Sequence, residues 1–332
     1  MSRSSSVVIV SPALADANNG NWRTARRWEE LIGRDHRVRI TKQWPDADAG
    51  SDDAMLALHA RRSADAVLAW SRVHPGRGLA VVLTGTDLYQ DLATSAEAQR
   101  SVELAQRLVV LQECAPEALA PEYRGKTRVV YQSTAAIPPL PRPVDHLQAV
   151  MVGHLRQVKT PQTFFEAARL LRDRGDIRLV HIGDAAGEPA LAEAARATGR
   201  DCPQYRWLGG QPHGATLDWI RSSHLLVHTS AMEGGAHVLM EAVRCGTPVL
   251  ASRVPGNVGM LGSAYDGYFP HGDAQALARL LQACRDGQTA ENPAAGRLAH
   301  LGAQCALRAP LFDAGAERAA LLNLLQELES PR

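Results

Sequence analysis

The 332 residues are 45% apolar and 21% charged, enough chain for two separate cores in a soluble protein. Thirty-six basic against thirty-five acidic residues leave a net charge of +1. That balance argues against a nucleic-acid or anionic-membrane partner, whose footprint is a strong basic excess. The five cysteines, Cys114, Cys202, Cys245, Cys284 and Cys305, are odd in number, far apart and form no CxxC pair. They read as reduced thiols of a cytoplasmic protein. No apolar run approaches the roughly 20 residues that span a bilayer. The first run, Val7 to Val10, is too short for a signal peptide and reads as a strand.

Strands and helices alternate from that point on. "SVVIVSP" is strand-like, and "WRTARRWEELIGRD" is helical, with Trp22, Ala25, Trp28 and Leu31 at helical spacing. "HRVRIT", "AMLALHA" and "LAVVLTGTD" follow as strands, with a helix in "RRSADAVLAWSRVHP". "AQRSVELAQRLVVLQ" reads as a helix running into a strand, and "TRVVYQS" closes the series. Residues 136 to 146, "AIPPLPRPVDH", carry four prolines in six positions, which neither a helix nor a central strand tolerates, so they read as a linker. The alternation then restarts in "LQAVMVGHL", "TPQTFFEAARLLRDRG", "IRLVHIGDA", "EPALAEAARATGR", "YRWLGG", "GATLDWIRSSH", "LLVHTS", "AHVLMEAVRCG" and "TPVLAS". The tail "FDAGAERAALLNLLQELES" is an amphipathic helix. The expected fold is α/β, two Rossmann-like domains facing a cleft: residues 1–140 and 147–305. The last helix, about 310–332, is expected to pack back on the N-terminal domain.

In such sheets ligands bind beyond the carboxyl ends of the strands. In the C-terminal half, "VGHLRQVKT" hangs His154, Arg156 and Lys159 over one strand end, where cations can hold a pyrophosphate or simply meet water. "MEGGAHVLME" follows another strand. Gly234 and Gly235 allow close approach of backbone to ligand. A helix starting near Ala236, just before His237, would aim its free N–H groups at a phosphate. Glu233 and Glu241 would lie roughly 12 Å apart if the segment between them were mostly helical, far enough to grip two ends of an extended ligand. The bland alternative makes them a surface-loop and a solvated-helix residue. Against it, Glu241 is followed by the buried-looking "AVRCGTPVLAS", where a carboxylate needs a partner.

In the N-terminal half, Asn18, Asn19, Gly20 and Asn21 can form a tight turn before a helix carrying Arg23, Arg26 and Arg27. Arg26 and Arg27 can equally be a solvated face. His59 ends a strand beside Arg61 and Arg62, as a general base, a hydrogen-bond donor or a core histidine. Thr84 and Thr86 could bind an anion, with Asp87 as a helix cap, and Gln132 and Ser133 end the last strand. These groups suit an anionic or polar acceptor. His224 and His228 merely flank a strand, and "DADAGSDD" reads as an acidic surface loop, so no metal or cofactor is expected.

Two glutamates separated by seven residues and followed by "CGTPVLAS" resemble the signature of the GT-B glycosyltransferases that often retain anomeric configuration. "VGHLRQVK" looks like the "VGRLxxxKG" loop of that family. The resemblance implies that Lys159 contacts the donor diphosphate, Glu233 the donor sugar, Glu241 the ribose hydroxyls, and that residues 234–236 turn over the phosphates. This sequence departs by having His154 where the family has arginine, leaving Arg156 to supply that charge, and "EGGA" where it has "EGFG". The patterns "NNGNWRTARRW", "HARRSA" and "LTGTDLY" further resemble the selenosugar synthases of bacterial selenoneine biosynthesis. That likeness implies a UDP-sugar donor, such as UDP-N-acetylglucosamine, and selenophosphate as acceptor, with His59 and the N-terminal loops, Arg61 among them, on the acceptor side. GT-B enzymes generally stabilise the departing diphosphate with cations and a helix N-terminus, so the resemblance calls for no metal. A hydroxyl or thiol acceptor, a nucleotide-sugar binding subunit without turnover, and an epimerase stay open as alternatives. So do the donor sugar, the anomeric outcome and the oligomeric state.

Overall fold

The computed structural model describes residues 5–14, 20–185, 187–288 and 296–329. Strands buried on both faces of a parallel sheet read as continuous apolar runs, and every strand pairing among the described residues is parallel. The chain divides into two units, Met1–Ser133 with Leu311–Arg332, and Thr134–Pro310; the sequence suggested 140, 147 and 305 as the corresponding limits.

The first unit holds β1 (Ser6–Val10), β2 (Arg37–Thr41), β3 (Ala54–Leu58), β4 (Leu79–Val82), β5 (Arg107–Val110) and β6 (Thr127–Val129). They lie in the order β2-β1-β3-β4-β5-β6. Alternate residues supply the two faces. Val8, Val10, Met55 and Val81 pack with Val67 and Trp70 of the helix Ala64–Val73 and Val102 of the helix Ala96–Leu104. Val7, Ile9 and Leu56 pack with Trp28 of the helix Gly20–Ile32 and with Leu321, Leu324 and Leu328 of the C-terminal helix Ala314–Glu329. The last helix therefore belongs to the first unit. Its Glu317, 1% exposed, accepts from the Trp28 indole at 2.7 Å, the Arg27 Nε at 3.0 Å and the Ser133 amide at 2.7 Å. Arg27 is thus an ion-pair partner and not part of a solvated face. Asn18 and Asn19 lie outside the described residues. The turn expected at 18–21 is helical from Gly20 onward.

The second unit holds β7 (Leu147–Val152), β8 (Ile177–Ile182), β9 (Tyr205–Trp207), β10 (Leu225–His228), β11 (Val249–Ser252) and β12 (Tyr268–Phe269), in the order β12-β11-β10-β7-β8-β9. The chain runs outward from β7 to β9, then returns to place β10 on the other side of β7. The switch point where ligands bind in such sheets therefore lies between β7 and β10. The proline-rich stretch is fastened to this unit: the Leu140 amide donates to the Arg221 carbonyl at 3.1 Å, and Arg221 Nε donates to the Pro138 carbonyl at 2.8 Å. Helices Pro255–Leu261, Ala274–Gln288 and Arg297–Arg308 complete the unit. No helix among the described residues is long and apolar enough to cross a membrane.

Candidate functional site

At the switch point of the second sheet, β7 leads through His154 and Arg156 into a short 3₁₀ turn, Gln157–Lys159, closed by Thr160 in the left-handed region at φ 44°. The loop after β10 docks on this turn: the Thr229 hydroxyl donates to the Lys159 carbonyl at 2.6 Å and the Ala231 amide to the Val158 carbonyl at 2.9 Å. These backbone clamps bring the Lys159 ammonium to 2.5 Å from Glu233 Oε1, while His228 Nε2 approaches the same oxygen at 3.1 Å. Burial pushes the Glu233 carboxyl up, but Lys159 and His228 outweigh it and hold the group well below the usual carboxylate range. Gly256 lies against the backbone of Glu233, where a Cβ would stand 2.1 Å from the Glu233 carbonyl oxygen.

Gly234 and buried Ala236 lead into the helix His237–Arg244, one residue later than expected. Ala236 at the N-cap offers no side-chain acceptor, so the first-turn amides present their N–H groups without a side-chain cap. Residues 233 to 236 are not helical, so Glu241 does not stand two helical turns above Glu233. It is buried within the helix, its Oε1 3.5 Å from His237 Nε2 and 3.6 Å from His213 Nε2. His154 is exposed and accepts from the Asp184 amide at Nδ1, 3.1 Å away. Arg156 is exposed on the same loop. Ser230 Oγ and Asn257 Oδ1 are buried polar atoms that lack a hydrogen-bond partner among the described residues.

At the carboxyl ends of the first sheet, the sequence candidates fall into a cluster around His59. This histidine is 2% exposed, takes φ 73°, and receives the Arg62 amide at Nδ1 over 3.5 Å. Its Nε2 is buried without a hydrogen-bond partner among the described residues, 3.7 Å from Asp91 Oδ2. Burial first, then the nearby Arg62, lowers His59 to about 4, with Asp91 opposing. The imidazole is therefore neutral at neutral pH. Asp87, fully buried, accepts from the Ala60 amide at 2.9 Å and from the Thr84 amide and hydroxyl at 2.5 and 2.8 Å. It fastens the β3 and β4 loops together instead of simply capping a helix, and burial raises it to about 6. The Thr84 hydroxyl is committed to that carboxylate, and Arg61 stands 3.0 Å from Asp91. The Thr84 hydroxyl is therefore not an open anion contact, whereas the Arg61 side chain stays 47% exposed. Thr86 is exposed, and Gly20, Asn21 and Arg23 occupy the first turn of their helix. Among the described residues, no group of three or more His, Cys, Asp or Glu side chains could hold a metal ion.

A model of the glycosyl transferases group 1 family matches residues 133–294. This segment, just under half of the chain, is similar to that family. The D-inositol 3-phosphate glycosyltransferase of Corynebacterium glutamicum is 31% identical over 150 residues, 42% of this chain and 36% of the relative. The enzyme of that name from Thermobispora bispora is 28% identical over 267 residues, 75% of this chain and 59% of the relative. The chain thus spans only about a third to three fifths of these relatives' lengths. The crystal structure of Anabaena HepE in complex with UDP superposes with a TM-score of 0.74 at 16% identity, covering 98% of this chain and 100% of that one. With two parallel six-stranded sheets, the chain has the GT-B fold.

Within this segment, two residues that shape the site carry no role in the sequence reading. His228 reads there only as a strand end, though a polar residue closing the buried run "LLVH" is a usable signal. Gly256 is foreshadowed only by the Pro-Gly pair that follows β11. Their partner, Glu233, is remote from Gly256 in sequence, and no local pattern encodes that contact.

Proposed function

We propose that the chain transfers a glycosyl group from a UDP-sugar, such as UDP-N-acetylglucosamine, to selenophosphate. Selenium attacks the anomeric carbon, the bond to the diphosphate oxygen breaks, and UDP leaves with its electron pair. The first product carries its phosphoryl group on selenium. Lys159, Arg156, His154 and the uncapped turn at Gly234, Gly235, Ala236 and His237 stabilise the diphosphate. Glu233 contacts the donor sugar and Glu241 the ribose hydroxyls. Neutral His59 supplies a hydrogen bond on the acceptor side, where the loops holding Asn18, Asn19, Gly20, Asn21, Arg23, Arg61, Thr84 and Thr86 surround the acceptor. The observation that supports the donor half is the convergence of the Lys159–Glu233 pair and an uncapped helix start on one switch point. The acceptor rests on the sequence resemblance to selenosugar synthases.

Incubating the protein with UDP-N-acetylglucosamine and selenophosphate should release UDP and yield, by mass spectrometry, a product with one selenium on the sugar. No UDP above background overturns the reading. The names of the group 1 relatives favour a second reading, a hydroxyl acceptor that itself bears a phosphate. Turnover with a polyol phosphate and none with selenophosphate would select it.

A further inference from the structure

The first sheet has a switch point of its own. The chain passes from β1 outward to β2, then crosses to β3 on the other flank of β1, so a crevice is expected beyond the carboxyl ends of β1 and β3. A cavity of about 650 Å³ lies there. Its walls come from Val10 at the end of β1 and Pro12 beyond it, Lys42 and Trp44 after β2, and Arg62 and Asp65 after β3.

The cations around this crevice differ in how they are compensated. Arg39 is bound by Asp52 and Asp46, and Arg61 by Asp91. The side chains of Lys42 and Arg62 have no ion-pair or hydrogen-bond partner among the described residues, and both line the cavity. The helix Ala64–Val73 also begins on this wall. Its N-cap, Ser63, makes no side-chain cap, because its hydroxyl donates to the Leu58 carbonyl at 2.6 Å. The positive end of a ten-residue helix is therefore left open beside two uncompensated cations. Asp65 is the carboxylate on the cavity wall and leaves one net positive charge among the lining side chains.

We propose that this cavity is an anion-binding site that seats the phosphoryl-type group of the acceptor on Lys42 and Arg62. The proposal rests on the acceptor half of the reading above and moves the anion contact away from Thr84, whose hydroxyl is already engaged, and from Arg61, whose Nε faces Asp91. A compact group with several oxygens matches the arrangement: one ammonium, one guanidinium and helix amides can each address a different oxygen. The shared chemistry is a phosphate-like oxyanion, either free, as in selenophosphate, or esterified to a polyol.

The buried Trp44, whose indole donates to Asp52 at 3.0 Å, lines the cavity and provides a reporter independent of turnover. Inorganic phosphate, titrated at constant ionic strength against the full chain, should shift the Trp44 indole N–H resonance saturably. Lys42→Gln and Arg62→Gln should each weaken that binding by about tenfold, the scale of one charged hydrogen bond. Asp65→Asn should tighten it, because it removes a like charge. A repeat with glycerol 3-phosphate separates the sources: tighter binding of the free ion supports the site as a seat for a free oxyanion, tighter binding of the ester as a seat for a polyol phosphate. In turnover assays the two cation variants should raise the KM of the active acceptor by a similar factor and leave the KM of the UDP-sugar unchanged. The absence of a saturable shift, or equal affinities in the wild type and all three variants, overturns the site. Failure of selenosugar formation alone would remove the acceptor assignment and leave the phosphate titration to judge the cavity.

Discussion

Glu233 is ionised in a confined setting because two donors converge on one of its oxygens. Lys159 contributes the stronger opposing charge and His228 a hydrogen bond. A carboxyl depressed below its unfolded value, about 4.3 for glutamate, adds stability that is fully present above that pH. The contribution is lost progressively as pH falls from that value to the lower folded one. Thermal stability should therefore show no loss from Glu233 until pH drops below about 4. His228→Leu removes the second donor and raises the folded value, so the acid loss from Glu233 should be smaller and complete at a higher pH. At pH 7 this variant should be less stable by about 1–3 kcal/mol, the range for a buried acceptor deprived of a donor. His228→Gln, which can still donate, should lose less. Thermal unfolding of both variants between pH 3 and 7 checks this, and equal effects of Leu and Gln would mean that His228 acts through shape alone.

The helix Ala314–Glu329 shows how an element is tied to a distant part of the chain. Leu321, Leu324, Leu325 and Leu328 bury its apolar face in the first unit, and Glu317 joins it to Arg27, Trp28 and Ser133. Replacing Glu317 by Leu leaves a guanidinium, an indole N–H and a backbone amide without their acceptor. The expected loss is about 3–5 kcal/mol, as for a buried pair deprived of one member, readable as a lower urea midpoint. The amphipathic spacing of this helix is legible in the sequence, but nothing local marks Glu317 as buried. The same contrast holds elsewhere. Runs such as Val7–Val10 and Leu225–Val227 announce their strands because both faces of a parallel strand are apolar. The stretch after Ser252 gave no such signal: β12 has two residues and the helix Pro255–Leu261 carries two glycines in seven positions. Lys159 and Glu233 were visible through their motif spacing, whereas the buried Asp87 and half-buried Asp91 beside His59 depend on tertiary packing.

At the scale of the whole molecule, the two units titrate differently. In the second unit, burial lowers both His181 and His224 to about 4. His181 is fully enclosed, with Phe164, Phe165 and Tyr205 around it, and His224 is 7% exposed. A histidine whose folded value lies below its unfolded value of about 6.5 binds a proton on unfolding, so stability falls as pH drops from 6.5 toward 4. Each such proton contributes a slope approaching about 1.4 kcal/mol per pH unit. In the first unit, burial likewise lowers His59 and His74, but Asp87 works the other way. Its folded value, raised to about 6, means that the folded state gains a proton before the unfolded state does, and this offsets part of the histidine effect. Acidification from pH 7 to 5 should therefore loosen the second sheet more than the first. Hydrogen exchange, corrected for intrinsic rates, should show the opening free energies of β7, β8 and β10 falling further than those of β1, β3 and β4. Asp87→Asn removes the offset, so the first sheet should then lose stability with acid about as steeply as the second. If the two sheets respond equally in the wild-type chain, or Asp87→Asn leaves the first sheet's pH dependence unchanged, the assignment of these buried groups is wrong.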